Sequence, residues 1–125
     1  MDEGVWMDVG GVRFHVEFRR FGRDLGPAIR VFGNVDGKDV QLLRFDMFQK
    51  DPHYHYDPTG FDGHHHLDRA VVPDVLAWSL VQIRDNLKTM IKTAGYRAFS
   101  DTVDQRAIAE AVPELRKAVE KVSQE

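Results

Sequence analysis

No cysteine occurs among the 125 residues. Disulfides, thiolate nucleophiles and cysteine-ligated zinc are therefore excluded, and the composition suits a reducing cytosol. A dominant charge is also missing: the formal net charge is −3 and the pI is near 6.0, so no global field recruits nucleic acid. No apolar run approaches the ~18 residues that a membrane span requires. The opening "MDEGVWMDVGGV" has no basic region followed by an apolar one, so no signal peptide is expected. These absences leave a soluble, cytoplasmic protein as the expectation. With 42% hydrophobic and 30% charged residues, the chain has enough apolar material for one core. We read it as a single domain over 1–125, strand-rich over 1–68 and helical over 73–122.

What is present divides cleanly. In "VRFHVEFRRF", Val12, Phe14, Val16 and Phe18 alternate with Arg13, His15, Glu17 and Arg19. A period of two describes a strand with one buried and one wet face, which makes His15 a surface residue. "GRDLGP" reads as a break, "AIRVFGNV" as a second strand with Ile29 and Val31 inward, and Asp36-Gly37 as a hairpin turn. "DVQLLRFDMF" follows as a third main strand. "HYHY" is a short fourth, and an early strand at "VWMDV" is plausible from composition. The short connections imply antiparallel order, because a parallel crossover needs about a dozen residues or more.

Beyond Pro73 the period changes. Leu76, Leu80, Ile83, Leu87, Met90 and Ala94 form one apolar stripe of an amphipathic helix. Pro73 suits its first position and Gly95 the position just past its end. A second helix is expected to start near Ser100 or Asp101, either of which can cap it. It carries Val103, Ala107, Ile108, Ala111 and Val112 as far as Pro113, where a break or kink is expected. "PELRKAVEKV" then restarts the helix with Leu115, Val119 and Val122 on one side. The expected fold class is α+β, an antiparallel sheet of four or five strands covered on one face by C-terminal helices. The basic groups Arg19, Arg20, Arg23 and Arg84, Lys88, Lys92 read as solvated faces.

The chemistry concentrates in "DPHYHYDPTGFDGHHHLD", Asp51 to Asp68, which holds five of the six histidines. It contains two His-x-His units, His53/His55 and His64/His66, joined by a turn-like "DPTGFDG". On a strand, residues two apart share a face, so each unit projects a pair of imidazoles. If the turn folds the units together, all four rings meet, with Asp46, Asp57, Asp62 and Asp68 near in sequence. Three readings stay open. A divalent metal (zinc, iron or nickel) can be held by His53, His55, His64 and His66 with Asp46 and Asp62, although the spacing matches no His-Glu-x-x-His signature. Alternatively, paired histidines can act as acid and base on RNA, with Arg44 steadying the developing charge. Finally, the hairpin can be hydrogen-bonded without catalytic consequence, with Tyr54, Tyr56 and Phe61 serving the fold. A homodimer or a small protein partner on the helical layer is a further possibility, favoured by any apolar helix face left uncovered.

The run "VDGKDVQLLRFDMFQKDPHYHYDPTGFDGHHHLD" with "LAWSLVQIRDNLKTMIKTAGY" resembles a group of small bacterial proteins classified only as a domain of unknown function. The likeness spans Phe14 to Tyr96 and is clearest in "RFDMF", "PHYHYDP" and the "LAW…AGY" helix. More distantly, "VDGKDVQLLRFD" with its histidine-rich sequel resembles the TumE-type toxins of bacterial toxin–antitoxin pairs. That resemblance implies a small α+β protein with a cognate antitoxin and a role in growth inhibition. The closer family implies no activity, substrate or catalytic residue.

Overall fold

The computed structural model describes residues 4–124. Six strands form one antiparallel sheet in simple sequence order: β1 (Val5–Val9), β2 (Val12–Phe21), β3 (Asp24–Val35), β4 (Lys38–Asp46), β5 (His53–Tyr56) and β6 (Gly63–His66). Three helices follow: α1 (Val75–Thr93), α2 (Arg97–Ser100) and α3 (Gln105–Val122). The fold is therefore α+β as the periodicities imply, with six strands rather than four or five. The additional strand is "GHHH", which has no apolar alternation to announce it and gains its ladder from β5.

Tight turns fix the register. Gly10 and Gly11 join β1 to β2, and Asp36-Gly37 joins β3 to β4, all four at positive φ, as a twisted two-residue hairpin turn requires. Between β2 and β3 the turn is shorter than "GRDLGP" suggests. Phe21 pairs with Asp24 and Arg19 with Gly26, so Leu25, Gly26 and Pro27 belong to the strand. This register puts Val12, Phe14, Val16, Ile29, Val31, Leu43 and Phe45 in the buried core.

Helices α1 and α3 cover that face. The α1 stripe buries Leu80, Ile83, Leu87 and Met90, and α3 buries Ile108, Leu115, Val119 and Val122. Asp74, not Pro73, marks the start of α1: its carboxylate accepts the Ala77 N–H at 2.9 Å, and Pro73 lies one residue before the cap. Gly95 follows the C-cap Ala94 at φ 107, where a side chain would be strained. Ser100 and Asp101 do not cap the last helix. Ser100 ends the short α2, and Asp104 caps α3 by accepting the Ala107 N–H. Pro113 does not divide α3, which runs unbroken from Gln105 to Val122. Pro113 is exposed, so water can satisfy the carbonyl it leaves unbonded, while Ile108 and Leu115 hold both halves to the core.

Of the large apolar side chains left exposed among the described residues, Val81 alone lies on a helix. Phe61 is 88% exposed and takes no part in the core, whereas Tyr54 and Tyr56 pack against it. No helix of the described residues is long and apolar enough to cross a membrane.

One polar link ties the histidine hairpin to the helices. Tyr96 donates its hydroxyl to Asp57, whose other carboxylate oxygen accepts the Phe61 N–H. Burial and the facing Asp57 carboxylate push the Tyr96 phenol up to about 12. A raised folded-state value favours the protonated form, so the stabilisation is complete below the ordinary value of 10.0 and disappears as pH rises through about 12. Denaturant titrations from pH 9 to about 12 are expected to show a steeper stability loss in the native protein than in Tyr96→Phe. Parallel profiles would show that this link contributes nothing to folding.

Candidate functional site

Because the helices take one face of the sheet, the other face is open, and the period of two decides what lies there. Pairing places Arg44 opposite His55 and Asp46 opposite His53. It also places His53 opposite His66 and His55 opposite His64. All six side chains therefore share the open face, while Tyr54, Tyr56 and His65 point to the other. There Tyr54 contacts Phe45, His65 and Trp78. The β3–β4 register shifts between Val31 and Phe32, which leaves Leu42 as an extra residue two positions before Arg44; beyond it Arg44 and Asp46, two apart, share one face.

The four imidazoles form a single cluster. Ring centroids are 4.4 Å apart for His55–His64 and 4.5 Å for both His53–His64 and His64–His66. At the base lies Asp46, which is fully buried. Arg19 Nη1 donates to one of its oxygens at 2.7 Å and Arg44 Nε to the other at 2.8 Å. His53 Nε2 and His55 Nε2 approach the same carboxylate at 3.1 and 3.3 Å. Burial works to raise the Asp46 carboxyl, but His53 and Arg44 outweigh it and hold the group far below the ordinary carboxylate range.

Arg19 reaches Asp46 from two strands away. The intervening positions on β3 are Gly26, opposite Arg19, and Ala28, opposite Asp46. They leave a trough across which a long side chain can lie. Gly26 is also required by the chain after β4: Met47 and Gln49 donate to the carbonyls of Pro27 and Leu25, and a Cβ at 26 would collide with the Met47 carbonyl.

An outer set of carboxylates orients the rings. His53 Nδ1 donates to the Asp51 carbonyl at 2.9 Å, His66 Nδ1 to the Asp51 carboxylate at 2.7 Å, and His55 Nδ1 to Asp62 at 2.6 Å. Each acceptor is an oxygen that cannot donate, so all three rings carry a proton on Nδ1. Arg44 Nη2, 3.0 Å from His55 Nε2, can only donate, which makes that Nε2 an acceptor. Asp51 is itself fixed by Asp24, whose carboxylate accepts the N–H groups of Leu25, Lys50 and Asp51 at 2.8–3.0 Å. Burial would lower His53, but its hydrogen bond to Asp46 and its contacts with Asp51 raise it overall. His64 is lowered, first by burial and then by its three histidine neighbours.

Of the residues marked in the sequence, His53, His55, His64, His66, Arg44, Asp46 and Asp62 come together. Asp57 does not, being engaged by Tyr96 and its own turn, and Asp68 caps the turn at Ala70. Arg19 departs from the solvated face that Arg20 and Arg23 do occupy. His15 is largely covered, under Trp6 and against Glu17. Sequence reasoning missed Arg19, Asp24 and Asp51. Counting back from a two-residue turn at Gly22-Arg23 places Arg19 opposite a glycine, and that signal was available.

A cleft of about 340 Å³ opens over this face, lined among others by Arg19, Phe21, Arg44, Phe48, His53 and His64. Fold and geometry together define an α+β protein with a histidine–aspartate cluster on the open face of an antiparallel meander. The chain belongs to the family described as Domain of unknown function (DUF7700), whose model matches residues 6–119. No curated protein and no solved structure matches it.

The buried carboxylate has a measurable consequence. Removing Asp46 leaves Arg19 and Arg44 without their shared acceptor, and breaking such a buried pair costs about 3–5 kcal/mol. Asp46→Ala is expected to lose stability of that order in chemical denaturation. A loss within about 0.5 kcal/mol, the range of ordinary surface substitutions, would show that the network does not stabilise the fold.

Proposed function

We propose that this protein binds a divalent transition-metal ion on the open face of its sheet, through His53, His64 and His66. The observation that carries this reading is the orientation of the rings. Ligand atoms of the three histidines lie within 4.8 Å of one another, and Asp51 engages Nδ1 of both His53 and His66. A carboxylate or carbonyl on the far nitrogen is the usual support for a metal-ligating histidine, because it fixes the tautomer; it leaves Nε2 of His66 for the ion, while Nε2 of His53, 3.1 Å from Asp46, exchanges that hydrogen bond for the ion. Asp46, His53 and His55 form a second group of the same size. There, Arg44 already supplies a positive charge between Asp46 and His55, so the outer group is the better seat for a cation.

Zinc, iron and nickel all accept imidazole. Three protein ligands leave a further position for water, and a metal such as zinc makes bound water acidic enough to act as a nucleophile near neutral pH. The open cleft gives that position access to a substrate, and the function we favour is metal-assisted hydrolysis.

Reconstitution with zinc or nickel followed by elemental analysis is expected to give about one ion per chain. The double substitution His64→Ala/His66→Ala should abolish uptake without unfolding the protein, since both residues are exposed. At free metal a hundredfold above Kd, binding should add about 2.7 kcal/mol of stability. Native protein that takes up no ion, or a double variant that retains it, would refute the assignment.

A second reading is favoured by the facing rings of His55 and His64, 4.4 Å apart: a metal-free acid–base pair that cleaves RNA. RNA should then be cut in excess chelator, and His55→Ala or His64→Ala should stop it. Intact RNA under those conditions removes this reading and leaves the metal centre untouched.

A further inference from the structure

The open face is polarised along the sheet. Histidines occupy β5 and β6, whereas Arg19 on β2 and Arg44 on β4 occupy the other half, and both halves line the same cleft. The two arginines share Asp46 as their acceptor. Arg19 donates to it through Nη1 alone, which leaves Nε and Nη2 without an acceptor among the described residues. Arg44 uses Nε on Asp46 and Nη2 on His55, which leaves Nη1. At the Asp46 end of the cleft two guanidiniums meet one carboxylate, while the other carboxylates lining it, Asp24, Asp51 and Asp62, are taken up by backbone N–H groups and by His66 and His55. The two arginine side chains are only 21% and 18% exposed, so solvent screens their charge weakly. Both forks are also held in place in advance by Asp46, which lowers the ordering cost of binding an anion. Phe21, 67% exposed, stands at the rim of the same cleft.

We propose that Arg19 and Arg44 form an oxyanion seat beside the histidine cluster, and that the ligand of this site is a phosphate ester. The phosphoryl oxygens take the remaining N–H groups of the two arginines, a pairing that guanidinium geometry favours. The ester linkage then faces the histidines. Phe21 offers an apolar surface to the organic part of the ester. The assignment rests on the metal reading for what stands opposite the phosphoryl group, but the seat itself is built from arginines and does not need the ion.

Inorganic phosphate is the probe, titrated calorimetrically into metal-free and zinc-reconstituted protein, with acetate as the control anion. Native protein is expected to bind phosphate at one site per chain and more tightly than acetate. Arg19→Gln should weaken phosphate by about tenfold or more, and Arg19→Lys, which keeps the charge but not the fork, by less. Zinc content should be the same in all three proteins. Circular dichroism and unfolding midpoints establish that the variants fold. Equal phosphate affinity in native and Arg19→Gln protein overturns the seat, as does the absence of phosphate binding in both metal states. Acetate bound as tightly as phosphate overturns the ester assignment. If zinc fails to bind while phosphate binds and responds to Arg19, the metal reading falls and the seat stands.

Discussion

The carboxylate of Asp46 is the point on which the open face is organised. It is removed from water, at the end of a strand whose next residue is core. A buried carboxylate is tolerated only when its charge is matched and its lone pairs are filled. Here the matching groups come from three different strands: Arg19 from β2, Arg44 from its own strand, and His53 from β5. Satisfying one charge therefore fixes the side chains of most of the site. The second layer follows from the first, since a ring whose Nε2 is turned toward Asp46 must present Nδ1 elsewhere. Asp51 and Asp62 are placed to receive it.

The two faces of the sheet carry separate tasks, and the separation is a consequence of strand periodicity. Alternate residues of β2, of β5 and of β4 beyond its register shift feed the core beneath the helices, and Arg19, Arg44, Asp46, His53 and His55 on the opposite face build the cluster. Substitution on one face leaves the other face's packing intact so long as the register holds. Register is fixed by two-residue turns with left-handed backbone at Gly10-Gly11 and Asp36-Gly37 and by the covered core. Stability and site chemistry are therefore largely uncoupled in this fold, with Asp46 as the residue that belongs to both.

Much of this arrangement is legible in the residue order because it is local. Alternation in "VRFHVEFRRF" identifies a half-buried strand, and His-x-His on each side of a short turn brings four rings to one face. The stripe from Leu76 to Met90 identifies α1 for the same reason: each contact is fixed by a period. What escapes is fixed by distance instead. Arg19 meets Asp46 across 27 positions of sequence, and only the exact β2–β3 turn reveals it. "GRDLGP" looks like a loop because Gly26 and Pro27 are poor strand residues, yet they lie inside β3. Asp24 acts on backbone N–H groups, and Asp51 reaches His53 through its own carbonyl, contacts that no side-chain pattern records. Pro113 misleads in the opposite direction, since an exposed proline in a helix clamped on both sides of it need not end that helix.

Gly26 and Ala28 have a consequence for what kind of site this is. Many binding clefts are made by adding walls, such as a loop or a lid, above a flat scaffold. Here the passage that lets Arg19 reach Asp46 is made by subtraction, at two positions of β3, Gly26 and Ala28, where the strand offers little side chain. The Met47 carbonyl and the Arg19 side chain take up the space that larger residues there would claim. The arginine is thus admitted by atoms that were left out and held at its tip by a buried carboxylate, so the charge it presents to the cleft is set before any ligand arrives.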